Sequence, residues 1–277
     1  MQKRDGNAAS PFAARPHRTV LDPSALARVC RQSRVQSSED LARFISRAWM
    51  LEWALEPAES YVQHVLPDPC VHLIVEPAAA HVLGVVTRLF STTLTEKQVV
   101  FGLKFRPGGF YPFVRRPVVA FTNKSIRLTE VFDEIDEPRL TGLIAAADGS
   151  AVMGLLEDAL RARRPAVDAA FDEACGVADR IGSDSTIHSV EQAARLFGTS
   201  PRSLQRLCRT YIGASPKWLI RLYRIKEAAA RIEEGDVECW VDLALRLGYA
   251  DQAHFINDFR SLIGRSPARY AGALRRS

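Results

Sequence analysis

The sequence contains no run of about 18 apolar residues, so no membrane-spanning helix is expected. Its opening stretch, "MQKRDGNAASPFAARPHRTVLDPS", lacks the apolar core of a secretory signal and is rich in Pro, Ala and Arg. It reads as a mobile tail, and the protein as cytoplasmic. Cysteine is scarce: Cys30, Cys70, Cys175, Cys208 and Cys239 make an odd set with no Cys-x-x-Cys pair. That argues against a disulfide framework and against a Cys-cluster zinc site, and it suits a reducing compartment. No Ser-His-Asp set, phosphate loop or carboxylate pair stands out. The expected chemistry is therefore binding, with no catalytic residue, no metal and no cofactor.

What the sequence does have is a lopsided charge. The whole chain carries a net charge of +5. Residues 183–277 hold 15 Lys+Arg against 10 Asp+Glu, while the rest is balanced at 22 each. The entire excess sits in the last third. A neutral part joined to a basic part suggests two domains, the second with a polyanionic partner.

That last third repeats itself. In "SVEQAARLFGTSPRSLQRLCRTYIGASP", Ser189 and Glu191 suit a helix start, and Val190, Ala193, Ala194 and Phe197 share one helical face. Gly198 ends this helix, and Ser200 with Pro201 opens the next. Ala194 is small where two steeply crossing helices must touch. This is the pattern of a helix-turn-helix, whose second helix lies in the DNA major groove. In "WVDLALRLGYADQAHFINDFRSLIGRSP", Ala244 and Gly248 repeat Ala194 and Gly198. Phe255 and Phe259 repeat Leu204 and Cys208 after one extra turn residue. Between the copies, "SPKWLIRLYRIKEAAARIEEG" reads as a helix about 28 Å long, starting at Pro216 and stopping at Gly235. Such a strut suits two heads entering successive major-groove segments roughly 34 Å apart.

Residues 183–277 resemble the DNA-binding domain of the AraC/XylS family of transcription regulators. The resemblance rests on "AARLFGTSPRSLQRLCRTYIGASPKWLIRLYRIKEAA" and "DLALRLGYADQAHFINDFRSLIGRSPARY". It implies transcription regulation, as activator or repressor, with double-stranded promoter or operator DNA as partner and contact with RNA polymerase. In the first recognition helix Leu204, Leu207 and Cys208 point inward, so Arg202, Gln205 and Arg206 point outward. The family's base-contacting positions fall on these three. Arg pairs with guanine and Gln with adenine. In the second helix the outward set is Gln252, Ala253, His254 and Asn257, of which Gln252, His254 and Asn257 are the candidate base contacts. This set lacks Arg and Lys, so the first head is expected to supply most of the base preference. Arg209, Lys217 and Arg265 are the phosphate candidates. Arg221, Arg224 and Arg269 could touch phosphate or hold the domain together, and Trp218 and Trp240 are expected in the core.

Upstream the pattern changes to strands. "YVQHVLPDPCVHLIVEP" reads as two strands broken at "PDP", and "QVVFGLKFRPGGFYPF" and "RRPVVAFTNKSIRLTEVF" continue the theme. The expected architecture is multidomain. A β-rich α+β N-terminal domain precedes an all-α double helix-turn-helix domain. The expected divisions are 1–40 (tail and lead-in), 41–137 (regulatory domain), 138–182 (helical connector or dimerisation segment) and 183–277. "LPDPCVHLIV" and "FGLKFRPGGFYPF" resemble an N-terminal domain that often precedes this DNA-binding module, implying a regulatory role through a small effector or a homodimer. His64, His72 and Arg106 are the candidate effector contacts. The competing reading is a thiol or metal sensor, or a DNA-modifying enzyme, with an appended DNA-binding domain; Cys70 would then carry the chemistry.

Overall fold

The computed structural model describes residues 23–163, 165, 167–237 and 239–274. Residues 1–22 of the expected tail lie outside them. The rest of the expected lead-in is ordered secondary structure: helix α1 spans Pro23–Val29 and strand β1 spans Cys30–Val35. The sequence hid β1 because "CRQSRV" is an edge strand with one face to solvent, and an edge strand needs few apolar residues.

Strands β2 (Ile45–Ala54), β3 (Ser60–Val65), β4 (His72–Glu76), β5 (Ala79–Leu83), β6 (Phe90–Thr95) and β7 (Lys97–Phe105) follow. Helix α2 (Tyr111–Val114) and strand β8 (Ser125–Arg127) complete the β-rich part. Six strands form one antiparallel sheet in the order β1-β2-β7-β4-β5-β8. β3 and β6 pair separately as a two-stranded ribbon.

The sheet buries both faces. On one face Ala48, Leu73, Val75, Phe101 and Leu103 pack under helices α3 (Glu137–Ala145) and α4 (Gly149–Ala162). Phe105 meets Phe110 at 5.2 Å between ring centroids, and Phe110 meets Phe121 edge-on at 5.2 Å. On the other face Trp53 and Val100 pack with Leu26 and Leu94 beneath α1 and the ribbon. This two-sided burial explains why β7 reads as a continuous apolar run rather than an alternation.

Helices α3 and α4, in the segment expected as a helical connector or dimerisation segment, cover the sheet of the N-terminal domain. Leu140, Ile144, Val152 and Leu156 are fully buried in that core. Amphipathic spacing shows that a helix hides one face, but not what it hides the face against. Helix α5 (Ala169–Ser183) is shared: Phe171 and Ala174 join the sheet core, while Val177, Ala178 and Ile181 join the first helix-turn-helix core.

The C-terminal part is all helix. It consists of α6 (Val190–Leu196), α7 (Pro201–Leu207), α8 (Pro216–Glu233), α9 (Trp240–Arg246), α10 (Gln252–Ile263) and α11 (Pro267–Leu274). A π-helical turn over Cys208–Ile212 extends α7. Ser189, Ser200, Ser215 and Asp251 each accept a bond from the backbone N–H three residues on, and each such cap contributes about 1 kcal/mol. The turn glycines Gly198 and Gly248 have φ of 61° and 72°. Ala194 and Ala244 are fully buried between crossing helices, in the first and second head respectively.

Candidate nucleic-acid interface

Helix α7 is fixed from beneath. Leu204 and Cys208 are wholly buried against Ala193, Ala194 and Leu219. With Leu204 inward, the geometry of a helix turns the neighbouring positions outward. Arg202, Gln205, Arg206 and Arg209 are all exposed on that outer face. Lys217, at the start of α8, is exposed as well.

The second head presents a different face. Phe255 and Phe259 anchor α10 in a core with Ala244, Leu247 and Tyr270. His254 and Asn257 are exposed, while Gln252 and Arg265 are half-buried. The His254 imidazole is engaged from within: it meets the Tyr249 ring edge-on at 5.2 Å and lies 3.8 Å from Asp258. Arg221 pairs with Asp258 at 2.8 Å. The Arg224 guanidinium sits 3.7 Å from the centre of the Tyr249 ring, where burial lowers its pKa. Arg221 and Arg224 thus join α8 to the second head. Arg269 is exposed. Trp240 packs against the second core. Trp218 packs where three cores meet and donates its indole N–H to the Thr87 carbonyl at 3.2 Å.

That last contact belongs to a larger junction with the N-terminal domain. Tyr211 donates to Asp168 at 2.9 Å, and Thr122 donates to the Gly213 carbonyl at 2.5 Å. Leu66 packs into the second head's core. The turn glycines after the two recognition helices, Gly213 and Gly264, have φ of 92° and 82°. Each abuts the N-terminal domain. A Cβ on Gly213 would lie 2.9 Å from Val118 Cγ1, and one on Gly264 would lie 2.5 Å from Leu89 Cδ2. Both "IGASP" and "IGRSP" therefore end a recognition helix and seat it on the other domain.

At the centre of the junction lies Asp68. It pairs with Lys104 of β7 and, at 3.3 Å, with Lys226 of α8. Burial alone would raise the Asp68 pKa, but Lys226 and Lys104 outweigh it and hold the carboxyl well below the usual range. Nothing in the sequence announced this cluster by a motif. A local signal was present in α8: Lys226 stands four residues after Leu222 and beside Ile225, a cation on the apolar arc.

Asp68 also lines a cavity of about 270 Å³ between the sheet and the β3–β6 ribbon. Among the effector candidates only His72 reaches it. His64 lies on the opposite face of β3 from Gln63 and Val65 and is bonded to Ser91 at 2.8 Å. Arg106 pairs with Asp179 of α5 at 3.2 Å. Its Pro-Gly-Gly turn closes on itself: Gly109 N–H donates to the Arg106 carbonyl, and Arg106 N–H to that of Phe44. The three candidates do not form one site.

The thiol reading of Cys70 fares poorly on physical grounds. Burial, with the Asp68 carboxylate adding to it, pushes the Cys70 thiol up to about 12, away from the reactive thiolate. Burial raises Cys30, Cys175 and Cys208 as well. Among the described residues no group of three or more His, Cys, Asp or Glu could hold a metal ion. No described helix is long and apolar enough to cross a membrane.

Residues 193–273 match a family described as a helix-turn-helix domain, and residues 33–127 match a domain of unknown function, DUF6597. No curated protein matches the chain. Among solved structures, an apo variant of ToxT from Vibrio cholerae strain SCE256 is similar at 14% identity, covering 88% of this chain and 97% of that one with a TM-score of 0.38. ToxT from Vibrio cholerae O395 gives 12% identity, the same coverage and a TM-score of 0.37. Wild-type ToxT of strain SCE256 bound to an unsaturated fatty acid gives 11% identity, 88% and 94% coverage, and a TM-score of 0.36. Likeness at that level fixes neither ligands nor residue roles. On its sequence and its paired heads, the C-terminal third of the chain is a helix-turn-helix DNA-binding domain of the AraC type, carried behind a DUF6597 domain.

Proposed function

We propose that this protein is a sequence-specific transcription regulator that reads promoter or operator DNA chiefly through α7, under the control of its N-terminal domain. The observation that carries the reading is the exposed row Arg202, Gln205 and Arg206 on a helix whose other side is locked by Leu204. Two side chains suited to guanine and one suited to adenine stand on one rigid face. On α10 the exposed His254 and Asn257 suit weaker readout or backbone contact. Helix α8, of 18 residues and so about 27 Å long, spaces the heads.

The docking of both heads upon the N-terminal domain supports control by that domain. A bound small effector or a homodimer contact would act by shifting that junction. Contact with RNA polymerase rests on the family resemblance alone.

The test begins with selection of preferred sites from random duplex DNA. Arg206→Ala should then lose about 1–3 kcal/mol on the selected site and relax the base preference beneath it. Unchanged affinity and preference at physiological salt would refute the assignment of α7.

A further inference from the structure

Charge is segregated within the N-terminal part of the chain. Residues 77–129 hold eight Lys or Arg and one acid, Glu96, while the rest of the first 182 residues holds 14 against 21. The basic stretch is also one that meets the heads: it supplies Thr87, Leu89, Val118 and Thr122 to the junction. Within it, Lys104, Arg106 and Arg127 are paired with Asp68, Asp179 and Glu137. Arg88 and Arg116 are exposed and make no ion pair among the described residues.

Arg88 stands between the two heads. On one side of it, the Thr87 carbonyl accepts the Trp218 indole N–H at the start of α8. On the other, Leu89 lies against Gly264 at the end of α10. Lys217 directly precedes Trp218 in the chain, and Arg265 directly follows Gly264. Neither of these has an ion pair among the described residues. Three segments thus bring cations to the gap between the heads, and none of the three is neutralised by a paired acid. Like charges so placed repel one another, and a polyanion relieves the repulsion.

Arg116 holds the corresponding place beside the first head. The 3-10 turn Val118–Phe121 that follows it packs on the π-helical turn Cys208–Ile212, which carries the exposed Arg209. The Arg116 guanidinium lies over the ring of the buried Phe121, 4.3 Å from its centre. Stacking holds the group by its face and leaves its N–H edge for phosphate oxygens. Two heads in successive major-groove segments leave the backbone between and beside them open to such contacts.

We propose that the N-terminal domain itself holds the DNA backbone, with Arg88 on a phosphate in the gap between the heads and Arg116 on one beside the first head. The inference rests on the reading of the protein as a DNA-binding regulator with Arg209, Lys217 and Arg265 on phosphates, and it extends that surface onto the other domain. These contacts carry no base preference. They make the docking of the domain part of the affinity, so a shift of the junction changes how tightly the whole protein holds DNA.

Binding of the full-length protein to its selected duplex is followed by fluorescence anisotropy over a range of salt concentrations. Arg88→Gln and Arg116→Gln should each reduce the slope of log K against log salt by about 1, and the double variant by about 2. Preference among single-base variants of the site should stay as in the parent. Arg88→Lys keeps the charge and should keep the slope. Arg31→Gln, on the exposed edge strand β1 outside the junction, controls for net charge and should also leave the slope unchanged. Unchanged slopes in both Gln variants, an equal drop in Arg31→Gln, or tighter binding by Arg88→Gln overturns the proposal; the last would mean that the domain shields the DNA-binding face. A drop in one variant alone overturns the assignment of the other residue. Should Arg116→Gln not fold without its ring contact, Arg88 decides. A parent that binds the duplex while the variants keep its slope removes only this inference, whereas a parent that binds no duplex removes the regulator reading as well.

Discussion

Lys226 Nζ lies 3.3 Å from Asp68 Oδ1, which joins the helix between the two helix-turn-helix units to the loop before β4. Both side chains are almost fully buried, and Lys104 completes the cluster. Removing one partner of a buried ion pair is expensive because the other charge stays behind. Asp68→Asn strands two ammonium groups and should cost about 3–5 kcal/mol of stability. Lys226→Met leaves Asp68 its partner Lys104 and fills the same apolar channel, so it should cost less. Urea unfolding of both variants checks the order. A larger loss for Lys226→Met would mean that Asp68 is not the hub.

The paired turn glycines make a second prediction. Gly213→Ala would place a methyl group near the Val118 backbone as well as its side chain, at a φ that Ala rarely adopts. Left-handed strain alone costs about 1–3 kcal/mol, and the contact adds to it. At Gly264 the nearest atom is instead the tip of Leu89. Leu89→Ala should therefore rescue part of the loss in Gly264→Ala and leave Gly213→Ala untouched. A double-mutant cycle by urea unfolding measures this coupling. Zero coupling between positions 89 and 264 would show that the second head is not seated there.

Arg209 and Lys217 are exposed beside the proposed base-reading row, Arg209 just beyond α7 and Lys217 at the start of α8. Phosphate contacts weaken all sequences alike and release counterions. Arg209→Gln and Lys217→Gln should each reduce the slope of log K against log salt by about 1. Neither should alter the preference between the selected site and its single-base variants. Fluorescence anisotropy at four salt concentrations reads both quantities. A changed base preference with an unchanged slope would move that residue into the reading set.

The contrast between what the sequence disclosed and what it hid follows from the range of each interaction. The caps at Ser189, Ser200, Ser215 and Asp251, and the turns at Gly198 and Gly248, act on backbone within a few residues, so their signals sit side by side in the chain. The two helix-turn-helix units were legible for that reason. Lys226 and Asp68 stand 158 residues apart, and no local pattern links them. The cavity is likewise assembled from α1, both layers of strands and the loop holding Asp68. Cys70 and His72 stood out in sequence, whereas Gln63 and Trp49, which line the same cavity, gave no signal, because such side chains become informative only when their neighbours are known.

His72 gives the stability of the fold a pH dependence. Burial, helped by the Lys104 ammonium, pushes its imidazole down from the ordinary value near 6.5 to about 4. The unfolded chain binds a proton at this residue below about pH 6.5, and the folded protein does not until about pH 4. The unfolded state thus holds more protons in this window, so stability falls as pH falls through it. At 1.36 kcal/mol per unit, the full loss is about 3 kcal/mol by pH 4, with about 2 kcal/mol gone by pH 5. In His72→Gln this contribution vanishes while the rest of the titration is retained. Urea unfolding of parent and variant at pH 7 and pH 5 should therefore show the parent losing about 2 kcal/mol more than the variant. Equal losses would mean that His72 protonates as readily in the fold as in the open chain.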